Sequence, residues 1–157
     1  MKDRVEITEV LKDEEYRLLG ELFREYEKDL GFALHFQHFS EELASLQDMY
    51  GAPEGAAFIL KEAEVPFGCV AVRKLEPGIA EIKRMFIKKP WRGKGYGKLL
   101  LELSLKASEK MDYEKVRLDT LDYMDAAIHT YRQAGFYEIP PYRHNPFKNA
   151  VFMEKKL

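Results

Sequence analysis

The chain has a single cysteine, Cys69. One thiol cannot close an internal disulfide, so a reducing compartment is the expected setting and the cytoplasm the expected location. Cys69 lies in the apolar, strand-like run PFGCVAVRKL, where a buried, inert thiol is favoured over a nucleophile. The four histidines, His35, His38, His129 and His144, are scattered. Without cysteine pairs to complete a ligand set, no structural metal is expected. No apolar run approaches the ~18 residues of a membrane-spanning helix, and the segment MKDRVEITEV lacks the apolar stretch of a secretory signal. Neither sign of charge dominates, with 25 Lys and Arg against 27 Asp and Glu for a net charge of −2. A chain-wide argument for nucleic-acid binding therefore fails. No repeat, low-complexity tract or linker interrupts the 157 residues, 46% of them hydrophobic, which fits one domain, 1–157, with a full core.

What is present is concentrated between Glu81 and Leu101, EIKRMFIKKPWRGKGYGKLLL. Its first part, with Ile82, Met85, Phe86 and Ile87, reads as a strand that Pro90 stops. Gly93, Gly95 and Gly97 then alternate with other residues, and a strong helix former follows at once. Basic residues gather here: Lys83, Arg84, Lys88, Lys89, Arg92, Lys94 and Lys98 fall within one short segment. A glycine-rich turn opening a helix presents backbone N–H groups at the positive end of the helix dipole, which suits a phosphate or pyrophosphate. Glycine serves there where φ must be positive or where a ligand approaches too closely for a Cβ. On the loop alone, an anion site is favoured over a basic surface turn.

Around this stretch, alternation predicts a first strand over Arg4–Val10. An apolar stripe through Leu19, Leu22, Phe23, Tyr26 and Leu30 predicts a helix over Asp13–Leu30, ended by Gly31. A second helix begins at Ser40 and carries Leu43, Leu46 and Met49 inward. Ala57–Ala63, Val65–Leu75 and Ile79–Lys88 read as three strands of an antiparallel meander. The helix after the glycine loop runs to about Met111. Lys115–Thr120 is then a strand parallel to its predecessor, reached by a right-handed crossover. A helix over Asp125–Ala134 and strands near Phe136–Ile139 and Ala150–Glu154 complete the order β-α-α-β-β-β-α-β-α-β-β. This is an α+β fold, a mixed sheet covered by helices.

With these elements in place the sequence resembles the GNAT superfamily of acetyl-CoA-dependent N-acetyltransferases. Arg92-x-x-Gly95-x-Gly97 matches that family's pyrophosphate loop, and Tyr131-Arg-Gln-Ala-Gly135-Phe136 its Y-x-x-x-G-F motif. The element order agrees, so the likeness spans the chain. GFALHFQHF, GCVAVRKL and GFYEIPPYRHNP look like segments of a bacterial subgroup of the family. The resemblance implies acetyl-CoA as co-substrate, its pyrophosphate held by Arg92, Gly93, Lys94, Gly95, Tyr96, Gly97 and Lys98. Backbone groups of Met85, Phe86 and Ile87 would hold the pantetheine arm in a gap between the strand ending near Ile87 and the strand KVRLDT, and a backbone N–H of Met85 or Ile87 would receive the oxyanion.

Tyr131 matches the family position that often protonates the departing thiolate; its alternative is packing on a buried helix face. Glu81, eleven residues before Arg92, matches the spacing at which some members carry a catalytic glutamate. An ion pair with Lys83 competes with that role, and many members use water relays. One departure is Met124, where the family often has Asn, with Asp122 and Asp125 out of register. His35, Phe36, Phe39, Tyr123 and Tyr142 are the acceptor-binding candidates, although aromatics so placed more often belong to a core. The implied activity is acetyl transfer to a primary amine, with a small molecule preferred over a protein N-terminus or lysine as acceptor. The competing reading is a CoA-binding regulatory module without transfer. A nucleotide-binding domain is disfavoured because neither phosphate-loop pattern occurs around Gly93. No nucleic-acid or membrane partner is expected, and a homodimer is compatible with the reading.

Overall fold

The computed structural model describes residues 4–31 and 38–157. Its strands are β1 (Val5–Glu9), β2 (Ala56–Glu62), β3 (Val65–Glu76), β4 (Ile79–Ile87), β5 (Lys115–Leu121), β6 (Tyr137–Ile139) and β7 (Ala150–Lys156). Its helices are α1 (Asp13–Leu30), α2 (Phe39–Ala44), α3 (Leu46–Tyr50), α4 (Tyr96–Lys110) and α5 (Asp125–Gln133). The strands form one sheet in the order β1-β2-β3-β4-β5-β7-β6. All neighbours are antiparallel except β4 and β5, joined by the crossover through α4. The expected helix from Ser40 is two short helices, broken at Ser45. The Ser45 hydroxyl donates to the Glu41 carbonyl at 2.7 Å, a local bond that competes with helix continuation.

Each face of the sheet has its own core. On one, α1 presents Leu19, Leu22 and Phe23, and α2 and α3 add Phe39, Leu46 and Tyr50, against Ile59, Cys69 and Ala71. On the other, Leu100 and Leu101 of α4 and Tyr131 of α5 pack on Phe58, Val70, Ile82, Val116 and Leu118. Alternate strand residues feed alternate faces, as a period of two requires. Helix α1 is set by acidic residues in its first turn, where the Glu15 carboxylate accepts from the Leu11 and Lys12 N–H groups at 2.9 and 2.8 Å. Gly31, at φ 80°, ends it. In α4 the buried Ser104 and Ser108 donate back to the Leu100 and Ser104 carbonyls at 2.8 Å. Their hydroxyls are thereby satisfied while their small size lets the helix lie close to the sheet.

Strand β4 breaks its own regularity. Cys69 pairs with Phe86 and Ala71 with Lys83, so Arg84 and Met85 together oppose Val70. Arg84 takes a left-handed φ of 57°, a strained state for a non-glycine residue. Its side chain is held in return: Nε and Nη2 donate to the two Glu42 carboxylate oxygens at 3.0 and 2.8 Å. Both partners are nearly sealed from solvent, and the Arg84 guanidinium also lies over the Phe39 ring, 5.1 Å from its centroid. Burial pushes the Glu42 carboxyl upward, but hydrogen bonding and charge from Arg84 outweigh it and leave the group below its ordinary 4.5.

Beyond the bulge β4 parts from β5. The two share only the rungs Ile79–Lys115, Ala80–Val116 and Glu81–Arg117, while β5 stays registered with β7 as far as Leu121. The bulge and its ion pair thus sit where the sheet opens. Glu42→Gln should lower unfolding free energy by ~3–5 kcal/mol, because it leaves the Arg84 charge buried without its counter-charge. Urea unfolding monitored by tryptophan fluorescence checks this. Because Glu42 titrates lower when folded, its contribution is present above pH ~4.5 and is lost as pH falls below that value. The gap between wild type and variant should therefore narrow in acid.

Candidate active site

The opening between β4 and β5 is a cleft of about 440 Å³, within the range of small-molecule sites. Met85 and Ile87 of β4 form one wall, Leu118 to Leu121 of β5 the other, and Tyr131 of α5 the inner end. The outer end meets Gly93, Gly95 and Gly97 at the start of α4. The turn before α4 is pinned from beneath. Trp91 stacks on Phe67 with ring centroids 5.1 Å apart, Tyr96 packs on the same ring at 4.9 Å, and the Trp91 indole N–H donates to Glu62 at 2.9 Å.

Two of the glycines are conformational requirements, since Gly93 has φ 77° and Gly95, the residue capping α4, φ 88°. Gly97 has no such need. It sits within the first turn of α4, and a Cβ there would meet nothing within 4 Å. Its effect is to leave the helix N-terminus bare, with unpaired backbone N–H groups and the positive end of the dipole facing the cleft. Arg92 lines the same end, tied by Nε to the Ile87 carbonyl and by Nη2 to Asp29, both at 2.8 Å. Lys98 borders the cleft, whereas Lys94 does not line it.

Tyr131 is 7% exposed and rests on Phe136, ring centroids 5.8 Å apart. That contact explains its motif: Gly135, at φ 100°, turns the chain out of α5 so that Phe136 folds back beneath the tyrosine. The Tyr131 hydroxyl faces the Met85 sulfur at 3.9 Å, so it points at β4 across the cleft. Burial, helped by Tyr26 and by the Asp119 charge, raises its pKa above the ordinary value, and it stays a hydrogen-bond donor throughout the physiological range.

Several expected site residues stand elsewhere. Glu81, the expected base, is fully buried and does not line the cleft. Arg73 Nε donates to its Oε1 at 2.9 Å, and Tyr142 at 2.7 Å and Arg143 donate to its Oε2. With both oxygens engaged, Glu81 fastens the loop between β6 and β7 to the last shared rung of β4 and β5. The competing expectation, a pair with Lys83, is corrected as well, for the partners are Arg73 and Arg143. Tyr142 is taken up by this lock, with the Arg117 and Arg143 guanidinium groups 5.5 and 5.2 Å from its ring centroid. Phe86 turns away from the cleft to pack on Tyr26, leaving only its backbone on the strand edge. Phe39 is buried against Arg84, and Tyr123 is 60% exposed away from the cleft. His35 and Phe36 lie outside the described residues.

Two cleft residues were not among the site residues expected from the sequence. Lys83 is buried, and burial reinforced by the Arg84 charge lowers its pKa to about 8. Asp119, on β5, keeps its Oδ2 away from solvent with no hydrogen-bond partner among the described residues. The signal was alternation in KVRLDT: Val116 and Leu118 point to the core, which leaves Arg117 and Asp119 on the other face.

The model of the family described as "Acetyltransferase (GNAT) family" matches residues 16–136. An uncharacterized N-acetyltransferase of Schizosaccharomyces pombe is 36% identical over 138 residues, covering 87% of this chain and 85% of that protein. Among solved structures, an acetyltransferase from Streptococcus agalactiae superposes with a TM-score of 0.79 at 19% identity over 98% of both chains. The PaiA N-acetyltransferase of Thermoplasma acidophilum, solved in complex with coenzyme A, does so with a TM-score of 0.73 at 20% identity over 98% of this chain and 99% of that one. The family match, with a bare helix N-terminus opening onto a split sheet, makes this chain a member of the GNAT acetyltransferase family.

Proposed function

We propose that the protein transfers the acetyl group of acetyl-CoA to the primary amine of a small molecule. The observation that carries this reading is the alignment of three features along one cleft: the glycine-opened N-terminus of α4, the unpaired edge of β4, and the Tyr131 hydroxyl. They match the three parts of the donor. A pyrophosphate suits the N–H groups of α4, and a peptide-like arm suits the free strand edge. A thioester sulfur suits a buried hydroxyl that already faces a sulfur. The clearance in front of Gly97 fits a bulky anion, and the likeness to a structure solved with coenzyme A supports the same donor. Tyr26 and Leu30 of α1 and Asn145 and Phe147 of the β6–β7 loop wall the remaining side, which favours a compact acceptor over a protein surface.

In the reaction the amine nitrogen bonds to the thioester carbon, and the C–S bond breaks with its electron pair left on sulfur. A proton must reach that sulfur. Tyr131 is the donor in reach, and its raised pKa is no obstacle, since a thiolate in the same buried site has its proton affinity raised too. The phenolate is then reprotonated by solvent.

Two outcomes test this reading. Gly95→Val, forced into a left-handed conformation, should weaken coenzyme A binding at least tenfold by titration calorimetry, with the fold retained by circular dichroism. Tyr131→Phe should cut kcat for thiol release roughly 100-fold across an amine panel while KM for acetyl-CoA changes less than ~threefold. An unchanged kcat removes Tyr131 as the acid. Coenzyme A binding by the wild type without thiol release, across alkylamines and peptides, points instead to a CoA-binding module.

A further inference from the structure

The last rung shared by β4 and β5 is Glu81–Arg117. Two residues on, by strand alternation, come the next side chains on the same face: Lys83 from β4 and Asp119 from β5. Both line the cleft. They feel each other's charge, and Asp119 also acts on Tyr131, Tyr26 and Tyr142. Asp119 therefore lines the same cleft as Tyr131, on the sheet face that also carries Lys83. We infer that Asp119 is the proton acceptor for the amine in acetyl transfer, its carboxylate holding the acceptor's ammonium and taking a proton from it.

Three observations support this assignment, which rests on the proposed acetyl transfer. Asp119 Oδ2 is shut off from bulk solvent and lacks a partner among the described residues. A buried acceptor in that state is unfavourable, and such groups call for a ligand or a function. Next, the base expected from the sequence is unavailable, because Glu81 does not line the cleft and Arg73, Tyr142 and Arg143 occupy both of its oxygens. Last, the sign of charge selects Asp119 over its neighbour. Lys83, lowered only to about 8, is mostly cationic at neutral pH and repels an ammonium, whereas a carboxylate attracts one.

The proton balance closes. The ammonium gives one proton to the Asp119 carboxylate, and its freed lone pair forms the N–C bond. The second proton lost by nitrogen replaces, through solvent, the one that Tyr131 passes to sulfur. Asp119 then returns its proton to solvent, so one proton is released for each amide and thiol formed.

An acceptor already neutral at the assay pH needs no such step. With Asp119→Asn, thiol release from acetyl-CoA should fall about 100-fold for alkylamines such as n-butylamine and less than ~threefold for aniline. Coenzyme A affinity by calorimetry should match the wild type. Asp119→Ala should recover rate with alkylamines, but not with aniline, when formate is added. Equal losses with both amine classes, no loss with either, or no formate rescue overturns Asp119 as proton acceptor while leaving acetyl transfer intact. A wild type that binds coenzyme A but accelerates neither class overturns acetyl transfer and this assignment together, and a wild type that does not bind coenzyme A overturns the donor site itself.

Discussion

The site depends on a strained residue held by an ion pair. Arg84 adopts a backbone conformation that its side chain disfavours, and its Nε and Nη2 are held by Glu42 from α2. The resulting bulge puts two residues of β4 where β3 offers one, and from there β4 leaves β5. A sheet with all rungs made would have no gap, no free strand edge and no room beside Tyr131. The ion pair also explains why a six-residue helix of little intrinsic stability stays docked on the sheet: its buried Glu42 is pulled in by a charge that has no solvent to turn to. Strain at a functional site is commonly balanced by such surroundings.

Glu81 performs the complementary task on the closed side of the split. Its carboxylate gathers Arg73 from β3 and both Tyr142 and Arg143 from the loop between β6 and β7. The segment carrying Asn145 and Phe147, which line the cleft, is therefore tied to the point where the strands part. Arg117, on the same rung, pairs with Glu154 of β7 and lies over the Tyr142 ring. Charged groups buried this way are costly if any one is removed, and together they join β3, β4, β5, β7 and the β6–β7 loop beside the opening.

Much of the architecture was legible because it rests on local signals. The helix α1 stripe, the glycine stops at Gly31 and Gly135, and the strand–loop–helix order around Gly93–Gly97 each follow from backbone chemistry within a few residues. The cofactor end of the cleft shares that property, being built from one continuous segment. The acceptor end does not. Whether Glu81 faces a ligand or three donors depends on Arg73 and Arg143, which come from other elements, and no spacing within β4 encodes their arrival. The bulge at Arg84 hid in the same way: the run IKRMF reads as regular alternation until Glu42, forty-two residues away, is brought against it. Asp119 was passed over because alternation in KVRLDT sets it on the face away from Val116 and Leu118 without saying what it meets there.

The Met85 sulfur facing the Tyr131 hydroxyl bears on the interval between turnovers. A buried hydroxyl stripped of every acceptor would pull water into the cleft or swing aside, and each new donor molecule would have to reverse that change. Methionine offers a soft, weak acceptor on a flexible stem, strong enough to keep the hydroxyl aimed and weak enough to give way. In the proposed role of Tyr131, a thioester sulfur would take the place of the methionine sulfur as its partner. A methionine side chain thus keeps the Tyr131 hydroxyl pointed at β4.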